Sequence, residues 1–213
     1  MLRVNIGCGP NPIPGWVNID NSTSVLLARL PKVATSSLAS LRVLDTGQAH
    51  AVEAARQKGV TYGNATSLPL KDGSVEVLYS SHMLEHLARS EAERFILECR
   101  RVMRGGGWLR LVVPDLGYYV ESYRQTKDAD ELLDGLFLSR RRVHGVRRLA
   151  DILVGFRGHR WMYDRWSLAK LVEKAGFDEV EIIEPGQTRI PDTGALDLSE
   201  RVGDSIYLEA RRP

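Results

Sequence analysis

Three groups of residues in this chain have the types and spacing to do chemistry. The first is the turn Gly7-Cys8-Gly9, which follows an apolar run and leads, across the seven residues Pro10 to Trp16, into Val17-Asn18-Ile19-Asp20. Glycines at such a turn let backbone approach a ligand where a Cβ would collide. Asp20 has the carboxylate needed to accept from both hydroxyls of a ribose with free 2′ and 3′ oxygens. Its competing role is a cap for the segment beginning near Ser22; the glycine turn upstream favours the ribose. A dinucleotide fingerprint needs a third glycine opening a helix, and Asn11-Pro12 stands there, so a pyrophosphate cradle and NAD are disfavoured.

The second group is His82, Glu85 and His86, spaced so that one helical face would carry all three. His82 is a candidate general base, and His159 with Tyr163 in GHRWMYD supplies a further base and a substrate contact. Each has a plainer role: Glu85 and His86 bracing a helix, Tyr163 and Trp161 packing, His159 satisfied by backbone. The third group is the run SRRRVHGVRR, with five arginines in ten residues. Residues 139–165 hold eight arginines against Asp151 and Asp164 alone, an excess that suits an anionic acceptor because guanidinium matches phosphate and carboxylate bidentately. Arg140, Arg141 and Arg142 are the expected grip. The alternative is a solvated charged face.

The elements that must position these groups follow from pattern. Short β-branched runs at Leu2–Ile6, Val17–Asp20, Val60–Gly63, Val75–Ser80 and Leu109–Val113 alternate with helical periodicity, which predicts a mostly parallel sheet with helices on both faces. Helices are expected over Glu91–Met103, capped by Ser90 and stopped by Gly105-Gly106-Gly107, over Gln48–Lys58, and over Trp166–Ala175. Val180–Glu184 and Ser205–Ala210 read as closing strands, the last antiparallel. The seven residues before Val17 are too few for a usual crossover. Extended chain covers about 3.3 Å per residue, so they can still return the chain for a parallel partner without a helix. Such a return covers one face thinly, which invites a lid from residues 22–45 or from a partner subunit.

With these residues in view, a resemblance emerges. VNIGCG, NID, NATSLPLKDGSVEVLYSSHMLEHL and RVMRGGGWLRLVVPDL, in that order, resemble the class I S-adenosylmethionine-dependent methyltransferases, in particular a small bacterial, methyltransferase-11-like branch. GHRWMYDRWSLAKLVEKAGF is similar to a later segment of that branch. The likeness covers most of the chain except about 22–58 and 120–157. It implies a single Rossmann-like seven-stranded sheet over 1–213, with a helical Arg-rich insertion at about 117–160. It also implies S-adenosyl-L-methionine as cofactor: Gly7, Cys8 and Gly9 against its methionine part, Asp20 on the ribose, Asn64 and Ala65 at the adenine, Ser81 near the transferable methyl. Asn64 stands where an acid is more usual. So does Asn5, which would meet the cofactor's amino group more weakly than a carboxylate would. The HMLEH run is similar to the metal-binding E-x-x-E-H of some small-RNA and quinone-precursor O-methyltransferases, with His82 in place of the first acid; no metal is expected.

Composition narrows the classes. A net charge of +2 is too mild to mark a nucleic-acid binder as a whole, and 43% hydrophobic residues suffice for one core. No apolar run reaches the roughly 18 residues of a membrane span. The first strand begins almost at Met1, leaving no room for a cleavable signal, and Cys8 and Cys99 have no paired spacing; together these lead to a cytoplasmic expectation. The resulting expectation is a methyltransferase acting on a small, anionic or glycan-type acceptor. An RNA methyltransferase is the second reading and a non-catalytic binding or assembly module the third, with a homo-oligomer left open.

Overall fold

The computed structural model describes residues 1–41, 43, 44, 46–137 and 158–213. Seven strands form one sheet: β1 Arg3–Ile6, β2 Val17–Asp20, β3 Thr61–Tyr62, β4 Val75–Ser81, β5 Met103–Pro114, β6 Asp178–Ile183 and β7 Ser205–Arg211, in the order β3-β2-β1-β4-β5-β7-β6. β1 to β5 run parallel, while β7 pairs antiparallel with both β5 and β6. The carboxyl ends of β1 to β4 therefore share one edge of the sheet, where ligands bind in open parallel sheets.

The short return keeps β1 and β2 parallel without a helix, with Val4 opposite Val17 and Ile6 opposite Ile19. Asn18 is what fixes it. Its Oδ1 accepts from Ile13 N (2.8 Å) and from Asn5 Nδ2 (3.1 Å), and its Nδ2 donates to the carbonyls of Ile13 (2.9 Å) and Trp16 (3.0 Å). One buried amide thus fills all four of its hydrogen-bonding positions and pins the loop to the sheet.

Two cores result. The larger gathers β-strand residues such as Val4, Leu78 and Leu111 against Phe95, Ile96 and Cys99 of α4 (Arg89–Val102) and Leu168, Leu171 and Val172 of α7 (Arg165–Lys174). On the other face, Val77, Tyr79, Val112 and Tyr207 are covered by Ile13 and Trp16 of the short return and by Ile190 and Leu196 of the β6–β7 connection. Over β4, β5 and β7 the described residues that cover this face are loop, where a helix would ordinarily lie. The segment after β2 folds as α1 (Thr23–Leu27), α2 (Lys32–Ser40) and α3 (Thr46–Gln57). Arg56 of α3 ties them together by donating to the carbonyls of Ala28 (3.2 Å) and Leu30 (2.9 Å).

Three local expectations change. α4 starts at Arg89, one residue before the expected Ser90 cap, because Glu91 turns back to accept from the N–H of Ala88 (2.8 Å). Gly105–Gly107 do not stop that helix but lie inside β5, where Gly106 N donates to Arg212 O (2.8 Å) and Arg212 N to Gly107 O (2.9 Å). A Cβ on Gly107 would stand 2.9 Å from the carbonyl of Glu76, so glycine is what lets this strand continue. Finally, His82, Glu85 and His86 do not ride an α-helix. His82 has φ 47°, outside any right-handed helix, and only Leu84–His86 makes a single 3-10 turn. Beyond β5 lie α5 (Leu116–Thr126), whose N-terminus Asp115 caps by accepting from Gly117 N (2.8 Å), and α6 (Ala129–Gly135).

Candidate active site

Gly7 and Gly9 both have positive φ, 71° and 50°, the left-handed region that glycine enters at little cost. A Cβ on Gly7 would lie 2.4 Å from Met83 Cγ, so the turn sits directly over the chain leaving β4. Asp20 braces it: one oxygen accepts from Gly9 N (2.9 Å), the other from Ser22 N (2.7 Å). Ser22, not Asp20, precedes α1, so Asp20 spans the two loops as a staple. Cys8 is buried within the turn, and burial together with the Asp20 carboxylate pushes its thiol up to about 12.

The remaining residues expected at the cofactor fall along the same edge. Gly63 N donates to Asp20 O (3.2 Å), which brings the start of the Asn64–Ala65 pair beside β2. Asn64 Oδ1 is occupied by Thr66, accepting from its N (3.0 Å) and its Oγ1 (3.1 Å). Ala65 is buried. Asn5 is buried and gives its amide hydrogen to Asn18, so that arm serves the short return. Ser81 ends β4 with its hydroxyl buried and, among the described residues, without a hydrogen-bond partner.

His82 follows. Its Nε2 lies 2.8 Å from Ser205 Oγ, and Ser205 Oγ donates to Asp204 Oδ1 (3.3 Å), which also accepts at its other oxygen from Tyr119 OH (2.6 Å). Burial, with Arg201 nearby, lowers the His82 pKa to about 4, so the ring is neutral at pH 7. His159 is buried and lowered to about 4 by burial and by His86. Glu85, at 0% exposure, is raised to about 8 by burial. Its backbone carbonyl accepts from Arg160 N (2.8 Å) and Trp161 N (3.2 Å), which holds the GHRW segment against the β4 end and delivers His159 there.

Tyr163 requires a correction. It was expected at the substrate, but it is fully buried in the larger core, with its backbone carbonyl accepting from Leu116 N (2.8 Å), so the ring packs. Arg140, Arg141 and Arg142 lie outside the described residues. A cleft of about 670 Å³ opens beside Ser205 and is lined also by Tyr118, Glu121, Arg165, Glu184 and Tyr207. Sequence pattern missed Asp204, Ser205 and Tyr119, because only the antiparallel pairing of β7 with β5 sets Ser205 opposite Pro114.

Comparison with known proteins agrees with this geometry. A family model described as a methyltransferase domain matches residues 22–111. A probable S-adenosylmethionine-dependent methyltransferase of Mycobacterium tuberculosis is 37% identical over 71 residues, 33% of this chain and 25% of that protein. One from Mycolicibacterium smegmatis is 38% identical over 56 residues, 26% of this chain and 21% of the relative. The matches thus span about a quarter of the relatives' lengths. Among solved structures, an S-adenosylmethionine-dependent methyltransferase from Thermotoga maritima superposes with a TM-score of 0.53 at 18% identity, covering 100% of this chain and 82% of that one. One from Archaeoglobus fulgidus gives 0.52 at 13%, covering 99% and 86%. Sheet order and these superpositions agree on the fold of S-adenosylmethionine-dependent methyltransferases, and residues 22–111 carry the methyltransferase-domain match.

Proposed function

We propose that this protein transfers the methyl group of S-adenosylmethionine to a small acceptor of anionic or glycan type. The observation that carries the reading is the convergence of Gly7–Gly9, Asp20 and Ser81–His82 on the carboxyl edge of the parallel sheet. Three features there fit the cofactor. Among the described residues nothing lies within 4 Å of where a Cβ on Gly9 would stand, so its backbone is open to approach. Asp20 has used two of the roughly four acceptor positions of a carboxylate, leaving room for ribose hydroxyls. Ser81 holds a buried hydroxyl in need of a partner. Asn5, Gly7, Cys8, Asn64 and Ala65 complete the surroundings in this reading.

When bound, the cofactor would supply a sulfonium methyl, which the acceptor atom takes in line as the carbon–sulfur bond breaks and the electron pair stays on the departing thioether sulfur. Alignment then provides much of the catalysis, and a base is required only if the acceptor atom carries a proton. Neutral His82 is placed to receive one, with Ser205 and Asp204 leading away from it; His159 is the second candidate. Support for an anionic acceptor comes from the arginines at 140–148, since the described lining of the cleft carries Asp115, Glu121 and Glu184 against Arg165.

Calorimetric titration with S-adenosylmethionine and, separately, NAD tests the reading. Saturable binding of the first alone is expected, with Asp20→Ala weakening it roughly 10- to 100-fold, the loss of one or two charge-assisted hydrogen bonds. Unchanged affinity in that variant removes Asp20 from the ribose. In a screen of nucleotide sugars, charge reversal at Arg140–Arg142 should raise KM and flatten the salt dependence; unaltered kinetics refutes the anionic grip.

A further inference from the structure

Glu85 is a buried carboxylate in an unusual setting. At 0% exposure, neither oxygen makes a hydrogen bond among the described residues. Around Oε1 stand three imidazole nitrogens: His82 Nδ1 at 3.5 Å, His159 Nε2 at 3.9 Å and His86 Nε2 at 4.0 Å. The two longer separations exceed hydrogen-bonding range. They approach those of atoms sharing a metal ion, because two ligands each about 2.0–2.2 Å from one ion lie about 3–3.5 Å apart. One donor atom from each of Glu85, His86 and His159 falls within 4.8 Å of the others.

The surroundings orient these donors. His86 Nδ1 lies 3.2 Å from the carbonyl of Gly158, the backbone contact that sets ring orientation in metal-binding histidines. His159 is fixed between the His86 ring at 5.2 Å and the Phe137 ring at 5.1 Å, and its segment is tied to the Glu85 carbonyl by two backbone N–H groups. Among the described residues, the donor atoms that all lie within 4.8 Å of one another come from Glu85, His86 and His159, so the set is one carboxylate and two imidazoles.

We propose that Glu85, His86 and His159 form a binding site for a divalent transition-metal ion. Two nitrogens and one oxygen suit Zn²⁺, Mn²⁺, Fe²⁺ or Co²⁺ better than the oxygen-seeking Ca²⁺ and Mg²⁺. Three protein ligands leave coordination positions open, as in catalytic rather than structural sites. Met83, two residues before Glu85, underlies the glycine turn, so the ion stands next to the cofactor edge. If the methyl-transfer reading holds, those open positions receive an oxygen of the acceptor and lower its pKa.

The test uses the tag-free full-length chain after chelator treatment, titrated with Co²⁺ by visible absorbance and with Zn²⁺ by calorimetry. One ion per chain is expected, with a visible Co²⁺ band, and Mg²⁺ should not compete at equal concentration. Glu85→Gln and His159→Asn should each weaken binding by at least 10-fold, while His50→Asn leaves it intact; circular dichroism confirms that each variant is folded. Binding that is absent, or unaltered in folded Glu85→Gln and His159→Asn, overturns the site. S-adenosylmethionine titration of the same samples separates the two proposals: metal bound without cofactor keeps the site and removes the transferase reading, and cofactor bound without metal does the reverse.

Discussion

Two glutamates in this protein are equally buried, at 0% exposure, and are treated in opposite ways. Glu209, in the middle of β7, is hydrogen-bonded at both oxygens. Its Oε1 accepts from Arg110 Nη1 and from Thr188 Oγ1, both at 2.7 Å, and its Oε2 from Arg189 N at 2.7 Å. Arg110, itself fully buried, donates further to the carbonyls of Gln187 and Leu198, each at 3.0 Å. That network fastens the β6–β7 connection to the sheet face that Ile13 and Trp16 also cover. Glu85, in the 3-10 turn beyond β4, has imidazole nitrogens at 3.5–4.0 Å and, among the described residues, no hydrogen bond at either oxygen. The difference teaches where the fold consumes polar groups for its own cohesion and where it leaves one uncommitted, at the edge where ligands bind.

The largest expected effect breaks that comparison directly. Glu209→Gln leaves Arg110 with an uncompensated charge in the interior and should cost about 3–5 kcal/mol in urea unfolding. Glu85→Gln, measured in chelated protein near pH 7, should cost under about 1 kcal/mol, because it replaces a carboxyl that burial keeps largely protonated with a neutral amide and breaks no hydrogen bond among the described residues. Equal losses for the two would mean that Glu85 is as structural as Glu209, and the contrast would fail.

A smaller effect sharpens the same contrast at the glycine turn. Gly7→Ala drives a Cβ against Met83 at positive φ and should lower stability by roughly 2–4 kcal/mol, combining clash and backbone strain. Gly9→Ala meets open space, so only the backbone term of about 1–2 kcal/mol applies, yet it should still impair S-adenosylmethionine binding. Thermal melts with and without cofactor check both. The smallest effect involves no loss of fold. With its thiol pushed up to about 12, Cys8 should be alkylated by iodoacetamide at pH 7.5 far more slowly than free cysteine, and Cys99, fully buried, more slowly still. Rapid modification of Cys8 would show the turn to be open to solvent.

Much of the strand, turn and strand at the carboxyl edge was legible because it is written locally. Gly7, Gly9 and Asp20 belong to a strand, turn and strand contiguous in sequence, and β2 spans the expected Val17–Asp20. What was hidden depends on contacts between distant segments. The spacing of His82, Glu85 and His86 suggests a helix, but the positive φ of His82 breaks it, and the donors meet through a bent turn and a segment from beyond residue 157. The glycines at 105–107 look like a helix stop until β7 runs on far enough to pair with them. Tyr163 reads equally as a substrate contact or a core ring, since burial is a property of the assembled fold rather than of the motif.

The Asn18 clamp bears on the order in which the chain folds. Asn5 and Asn18, joined across β1 and β2, are 13 residues apart, whereas Arg110 and Glu209, joined across β5 and β7, are 99 apart. Closing the longer loop costs about 2 kcal/mol more chain entropy, at about 0.6 kcal/mol per doubling. A parallel pair that ordinarily waits for an intervening helix here has almost the reach of a hairpin, so it is equipped to nucleate the sheet, with the β5–β7 pairing closing it last.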